Sequence, residues 1–242
     1  MTVESLSPLL TGIPRGPLTP PRGRLHPVAA SEPSLSETLS RLLRNGERVP
    51  DEGFDRLLEV GSRIASAVHW TPIDVCLRVT KLLAAQRGER VLDIGCGVGK
   101  LCIIGSIVSE ALFVGIEQRA HLVDEAKRAA QLLASPAQFI HADAFAVDWA
   151  EFHALYLYNP FDELRFDPDL RIDGTIEFSE SLFHHLVRET RTRLAQMPDG
   201  TRVVTFHGFG GPMPDSYQLH SREPAAGGSL ELWIQSERAA RD

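Results

Sequence analysis

Four short stretches of this chain carry residues whose types and spacing can do chemistry, and each stands at the end of an apolar run. Val91-Leu92-Asp93-Ile94 runs into Gly95-Cys96-Gly97-Val98-Gly99, and Val114-Gly115-Ile116 ends at Glu117-Gln118. Phe139-Ile140-His141 is followed by Ala142-Asp143-Ala144, and Leu155-Tyr156-Leu157-Tyr158 by Asn159-Pro160-Phe161-Asp162. Glycines spaced one apart after a buried run make a turn that reaches φ > 0 and lets a ligand approach the backbone, while the helix that follows offers unpaired N–H groups. That is a nucleotide cradle. Glu117 falls where ribose hydroxyls need a bidentate acceptor, and its charge would repel a 2′-phosphate. The Asp143 carboxylate and the Ala144 N–H can meet one purine edge, the first on the exocyclic amine and the second on a ring nitrogen.

The glycine spacing separates two cofactor classes. A dinucleotide site uses GxGxxG, whose last glycine packs the helix against the strand. Here Gly95, Gly97 and Gly99 form GxGxG, and Lys100 stands where that last glycine belongs. An NAD-linked oxidoreductase stays as an alternative reading.

With the acids at three successive strand ends, the sequence resembles the class I S-adenosylmethionine-dependent methyltransferases over roughly residues 88–236, on VLDIGCGVG, GIE, HAD and YNPF. The resemblance implies S-adenosyl-L-methionine as cofactor. It places the methionine part on Asp93, Gly95 and Gly97, the ribose on Glu117 and the adenine on Asp143 and Ala144, with Cys96, Gln118 and Asn159 counted in the same cofactor-binding set. Cys96 sits at a variable position without a paired base and is not read as a nucleophile.

Asn159-Pro160-Phe161 looks like a shortened (N/D)PP(F/Y) motif of amino-group methyltransferases, which implies transfer to nitrogen. It has a single proline, and its aromatic comes one position early. A narrower similarity to Dot1-type lysine methyltransferases rests on the glycine turn, GIE, Trp149 and the Asn-Phe strand end. Methyl transfer is an in-line displacement that needs alignment and, for a protonated nucleophile, a proton acceptor. The candidate catalytic residues are Asn159, Tyr158 and His207, the last followed by the flexible Gly208-Phe209-Gly210-Gly211. His69 and Trp70, just upstream of the cradle, are candidates to line the ligand site. No set of His, Cys and acidic residues has metal-ligand spacing, and no metal is expected.

These residues need a scaffold that brings strand ends together. Alternation of strands (91–94, 112–116, 138–141, 154–158, 202–206) with helices (100–110, 121–134) predicts right-handed βαβ units. The fold class is α/β, a Rossmann-like doubly wound, mostly parallel sheet of about seven strands. A C-terminal antiparallel hairpin turning at Ala226-Gly227-Gly228 closes it, and ligands in such sheets bind beyond the carboxyl ends of the strands. An amphipathic helix from Phe178 to Leu194 precedes the fifth strand. Upstream lies an N-terminal helical extension. Ser34 and Glu37 form a capping box, a helix from Asp51 to Val68 is interrupted only by Gly61, and a third helix, capped by Thr71, runs from Pro72 to about Ala85.

The expected organisation is a flexible Pro/Arg-rich tail over 1–33, helices over 34–87 forming a lid and substrate wall, and a cofactor-binding domain over 88–242. The 242 residues are 43% hydrophobic with net charge −7, so charge gives no general attraction to nucleic acid or membrane. Cys76, Cys96 and Cys102 are odd in number and read as free thiols, and no segment is apolar enough to span a bilayer. A cytoplasmic enzyme acting on a small-molecule or protein methyl acceptor is expected, with no nucleic acid or membrane partner and an oligomeric state left open. A non-catalytic cofactor-binding module is a further alternative.

Overall fold

The structure, a computed structural model, describes residues 33–83, 86–165, 167–176 and 179–236. The tail expected over 1–33 therefore lies almost wholly outside the described residues. Seven strands form one sheet: β1 (Arg90–Ile94), β2 (Leu112–Glu117), β3 (Gln138–His141), β4 (Ala154–Tyr158), β5 (Arg202–Phe206), β6 (Tyr217–Ala225) and β7 (Gly228–Gln235). Their order is β3-β2-β1-β4-β5-β7-β6, with the first five parallel and β7 antiparallel to both of its neighbours. The chain leaves β1 toward β3 and then returns to the other side of β1 with β4. The carboxyl ends of β1 and β4 thus flank the topological switch point, where open α/β sheets bind ligands.

Period-two alternation sorts the strands between two cores. Val91 points into one face with α4 (Ile73–Leu83), α5 (Lys100–Val108) and α6 (Ala120–Leu132), while Leu92 and Ile94 point into the other with Trp149 and Leu194 of α7 (Glu180–Ala195). Helix α5 is apolar nearly all round because it lies between the sheet and further helices, and Leu101, Cys102, Ile103 and Ile104 are all buried. Leu39, Leu43 and Phe54 belong to the same core as Val91 and Phe113, so the N-terminal helices share the hydrophobic core of the sheet. The hairpin turns at Ala226-Gly227, both at positive φ as a tight hairpin requires, and Pro224 is tolerated because β6 is the sheet edge.

Helix α1 (Leu35–Arg44) carries the expected capping box, with the Ser34 and Glu37 side chains exchanging bonds with each other's backbone N–H. The second helix differs from expectation. It is broken at 56–59 into α2 (Asp51–Asp55) and α3 (Val60–His69), ahead of Gly61. The reason is tertiary: Glu125 of α6 accepts both the Glu59 N–H and the Ser62 hydroxyl, holding the start of α3 at that point. Thr71 does not cap α4. Its hydroxyl pairs with Tyr156 Oη at 3.1 Å, and the Ile73 N–H donates instead to Asp51 Oδ1 at 3.0 Å. The end expected for α4 near Ala85, and Phe178 before α7, lie outside the described residues.

Candidate functional site

The glycine turn is built by three left-handed residues, Gly95, Gly97 and Gly99, at φ of 74°, 53° and 74°. The N–H groups of Gly95 and Cys96 both donate to Ile116 O at 3.0 Å, which ties the turn to the end of β2. At Gly97 the missing side chain is also a steric need. A Cβ there would sit 2.4 Å from the Trp70 ring, which is held in place by its Nε1–H bond to Ser62 O at 2.7 Å. Pro160 covers Gly95 from the β4 side, 3.5 Å from where its Cβ would be.

A cleft of about 330 Å³ opens over this turn at the carboxyl edge of the sheet. Gly95, Gly97, Glu117, Gln118, Asp143, Ala144, Tyr158, Asn159 and His207 all line it, as do His69 and Trp70. Asp93 and Cys96 do not. The Asp93 side chain lies under the turn, where Cys102 Sγ donates to its Oδ2 at 3.5 Å. Burial pushes its carboxyl up to about 7, the Cys102 hydrogen bond opposes the rise and the Glu117 charge adds to it. The Cys96 sulfur packs against Gly115, and burial pushes its thiol well above the ordinary range, so it is an inert filler.

Glu117 is buried, and its carboxylate accepts the Gly97 N–H at 3.2 Å on Oε2 and the Arg119 N–H at 2.9 Å on Oε1. Burial raises its pKa, while the Arg119 N–H and charge and the Gly97 N–H work in the other direction. Asp143 N-caps a short 3-10 turn, with Oδ1 accepting the Phe145 N–H at 2.7 Å, and its other carboxylate oxygen stays available. The Ala144 N–H opens that turn and has no acceptor among the described residues, as the first N–H of a helical turn commonly does not. Acceptor and donor thus stand side by side on the cleft wall. Phe145 stacks on Phe161, with ring centroids 6.2 Å apart, and gives that wall a flat apolar face.

At the end of β4, Asn159 takes a left-handed φ of 41°. Its N–H donates to Gly208 O at 3.0 Å, and its Nδ2 donates to Asp162 Oδ2 at 2.9 Å. One of the two Nδ2 hydrogens is used there, and the Oδ1 oxygen accepts no bond from the described residues. The Tyr158 hydroxyl donates to Val68 O at 3.3 Å, joining β4 to the end of α3, and burial raises its pKa, so it stays a phenol. The His207 ring packs over Gly228 and lies 5.9 Å from the Tyr158 ring.

Sequence reasoning missed the roof of the cleft. Leu164, Ile172 and Ile176 descend from the irregular segment after β4, and Arg119 meets them from the β2 side. Arg119 directly follows Glu117-Gln118, but its partners Glu163 and Asp173 are far along the chain in a loop without periodicity. Lys100 holds no cofactor-facing place. It is 2% exposed and pairs with Asp51 at 2.8 Å and Asp55 at 2.9 Å, a charged anchor where a dinucleotide fingerprint needs glycine.

The turn that excludes a Cβ, the buried acid beside it and the acceptor-donor pair at 143–144 fit S-adenosylmethionine. Residues 55–153 match the family described as Protein-L-isoaspartate(D-aspartate) O-methyltransferase (PCMT). Over 95 residues the chain is 27% identical to Ribosomal protein L11 methyltransferase of Caulobacter sp. (strain K31), a match that covers 39% of this chain and 33% of that relative. The chain thus spans about a third of the length of this curated relative. Its fold is similar to an RNA methyltransferase from Salinibacter ruber solved with S-adenosyl-L-homocysteine, at TM-score 0.51 and 22% identity over 71% of this chain and 97% of that one. It is also similar to TrmN from Thermus thermophilus, at TM-score 0.54 and 18% identity over 71% and 51%. The strand order agrees with these matches: the chain shares the fold of these methyltransferases, and over residues 55–153 it resembles a methyltransferase family in sequence.

Proposed function

We propose that the protein transfers a methyl group from S-adenosylmethionine to an amine nitrogen of a small-molecule or protein acceptor. The observation that carries the nitrogen reading is Asn159. One of its Nδ2 hydrogens is held by Asp162, which fixes the amide plane, and its Oδ1, an acceptor by nature, has no donor among the described residues. An amine offers N–H donors to such an oxygen, and holding them aims the nitrogen lone pair.

Bound in the cleft, the cofactor would supply a methyl group made electrophilic by its sulfonium. Glu117 would accept the ribose hydroxyls, and Asp143 with the Ala144 N–H would take the adenine edge. Gly95 and Gly97 would let the methionine part lie against the backbone. Asn159 orients the acceptor, Tyr158 closes the wall between β4 and α3, and a ring nitrogen of His207 receives the proton that the amine releases. The N-terminal helices form part of the acceptor wall through His69 at the end of α3 and Trp70 just after it. Net charge −7 argues against nucleic acid as the acceptor, and the buried free thiols Cys76, Cys96 and Cys102 suit a reducing, cytoplasmic setting. No helix among the described residues is long and apolar enough to cross a membrane.

Calorimetric titration with S-adenosylmethionine and S-adenosylhomocysteine tests the cofactor, and absence of binding to both at millimolar concentration rejects it. Incubation of radiolabelled cofactor with cell extract, followed by separation of protein from small molecules, identifies the acceptor class. Asn159→Ala should cut label transfer by about tenfold or more while changing S-adenosylhomocysteine affinity by less than about threefold.

A further inference from the structure

Arg119 is a buried cation in the cleft wall, its side chain 5% exposed. Nη2 donates to both Glu163 oxygens at 3.0 Å, and Nε donates to Asp173 Oδ1 at 3.2 Å. Through its main chain the same residue donates to Glu117 Oε1. One residue therefore touches the cofactor acid with its backbone and the roof of the cleft with its guanidinium.

The roof comprises residues 160–165 and 167–176. Besides Arg119, it is held by the Ile172 N–H bond to Glu163 Oε1 at 2.7 Å and by His69 Nε2, 2.8 Å from Leu170 O. Glu163, Leu164, Ile172 and Ile176 face the cleft. A buried guanidinium is tolerated only when its planar fork is matched, and Glu163 and Asp173 match it from two directions. Asp173 stays below the usual carboxylate range although burial works against its charge, because Thr175 and Arg119 outweigh burial.

We propose that Arg119 is a positioning residue that couples occupancy at Glu117 to closure of the roof over the cleft. The coupling rests on the reading of Glu117 as the ribose acceptor. A ligand hydroxyl on that carboxylate shares it with the Gly97 and Arg119 N–H groups. Occupancy thereby stiffens the corner between β2 and α6, and with it the origin of the guanidinium. Part of the ordering entropy of the roof is then already lost when the acceptor arrives, which makes the two binding events cooperative.

Hydrogen exchange on the full chain tests both halves, reading the hydrogen-bonded amides of Leu164, Leu170 and Ile172 against those of α5 as a control. In the unliganded protein, Arg119→Gln should speed exchange of the roof amides by about tenfold or more and leave α5 unchanged. Equal exchange in variant and wild type overturns the latch, whether or not any cofactor binds. Saturating S-adenosylhomocysteine should slow roof exchange in the wild type but not in Arg119→Gln, even though that variant still binds it. Equal protection in both overturns the coupling. Arg119→Lys, which keeps the charge but loses the fork, should behave like Arg119→Gln, and full rescue by lysine overturns the fork geometry. If Arg119→Gln loosens α5 as well, Glu163→Gln replaces it with the same expectations. Failure of wild type to bind S-adenosylhomocysteine rejects the cofactor reading and with it the coupling, while the latch is still decided by the unliganded measurement.

Discussion

The Glu117 carboxylate accepts the Gly97 N–H at 3.2 Å, so the acid that ends β2 is tied to the glycine turn that ends β1. Two groups to which the proposed cofactor site assigns different parts of one ligand are thereby held in a fixed relation to each other. Glu117→Ala should weaken S-adenosylhomocysteine binding by about 1.5–3 kcal/mol, the range for losing a charged hydrogen-bond partner. Calorimetric titration measures it, and unchanged affinity would place the ribose elsewhere.

Gly97 lies at φ 53°, and a Cβ there would come 2.4 Å from the Trp70 ring. Gly97→Ala should destabilise the fold by about 1–3 kcal/mol, the usual cost of overpacking, with a further contribution from the left-handed backbone. Adding Trp70→Leu should return part of that loss through a favourable coupling in a double-mutant cycle followed by urea unfolding. Strict additivity would show that the ring does not oppose the added methyl.

Asp93 supplies a pH dependence. Its carboxyl moves from 3.8 to about 7 on burial, so within that window the folded protein binds more protons at this site than the unfolded chain. Stability from this group is fully present below the unfolded value and is lost as pH rises toward 7, at up to about 1.4 kcal/mol per pH unit. Asp93→Asn should flatten the fall in unfolding free energy between about pH 5 and pH 7.5, measured by urea unfolding at several pH values. Parallel curves for the two proteins would mean that Asp93 is ionised in the fold.

Lys100 joins Asp51 and Asp55 from a position 2% exposed, with Ser66 Oγ at 3.3 Å and the Phe54 ring 5.5 Å away. Lys100→Met removes the cation and leaves a buried carboxylate at Asp55, for which a loss of about 3–5 kcal/mol is expected. Faster hydrogen exchange should concentrate in α2 and α3, because these helices are the ones it anchors. A melting temperature equal to wild type would show that the pair contributes nothing net.

How much of this was legible in the sequence follows from how far apart the interacting residues are. The glycine turn, the capping box at Ser34 and Glu37 and the alternation of strands and helices are local patterns, so their structures follow from neighbours within a few positions. Strand ends collect at one edge of a parallel sheet, which is why Glu117, Asp143 and Asn159 could be assigned to one cleft before any coordinates. The same alternation also bears on Asp93. Asp93 shares the parity of Val91, which faces the helical core, so its side chain runs under the turn instead of into the cleft.

By itself, then, the sequence determined the sheet, the cradle and the strand-end residues Glu117, Asp143, Tyr158 and Asn159 that line the cleft. Only the tertiary structure decided the break between α2 and α3, the capping of α4 by Asp51 instead of Thr71, and the roof. Each depends on one charged side chain meeting a group more than twenty residues away: Glu125 on Ser62, Asp51 on Ile73 and Arg119 on Glu163. No periodicity records such a meeting. It is selected when burial leaves a charge or an N–H with a single partner in reach, and that partner is set by the packing of the whole domain.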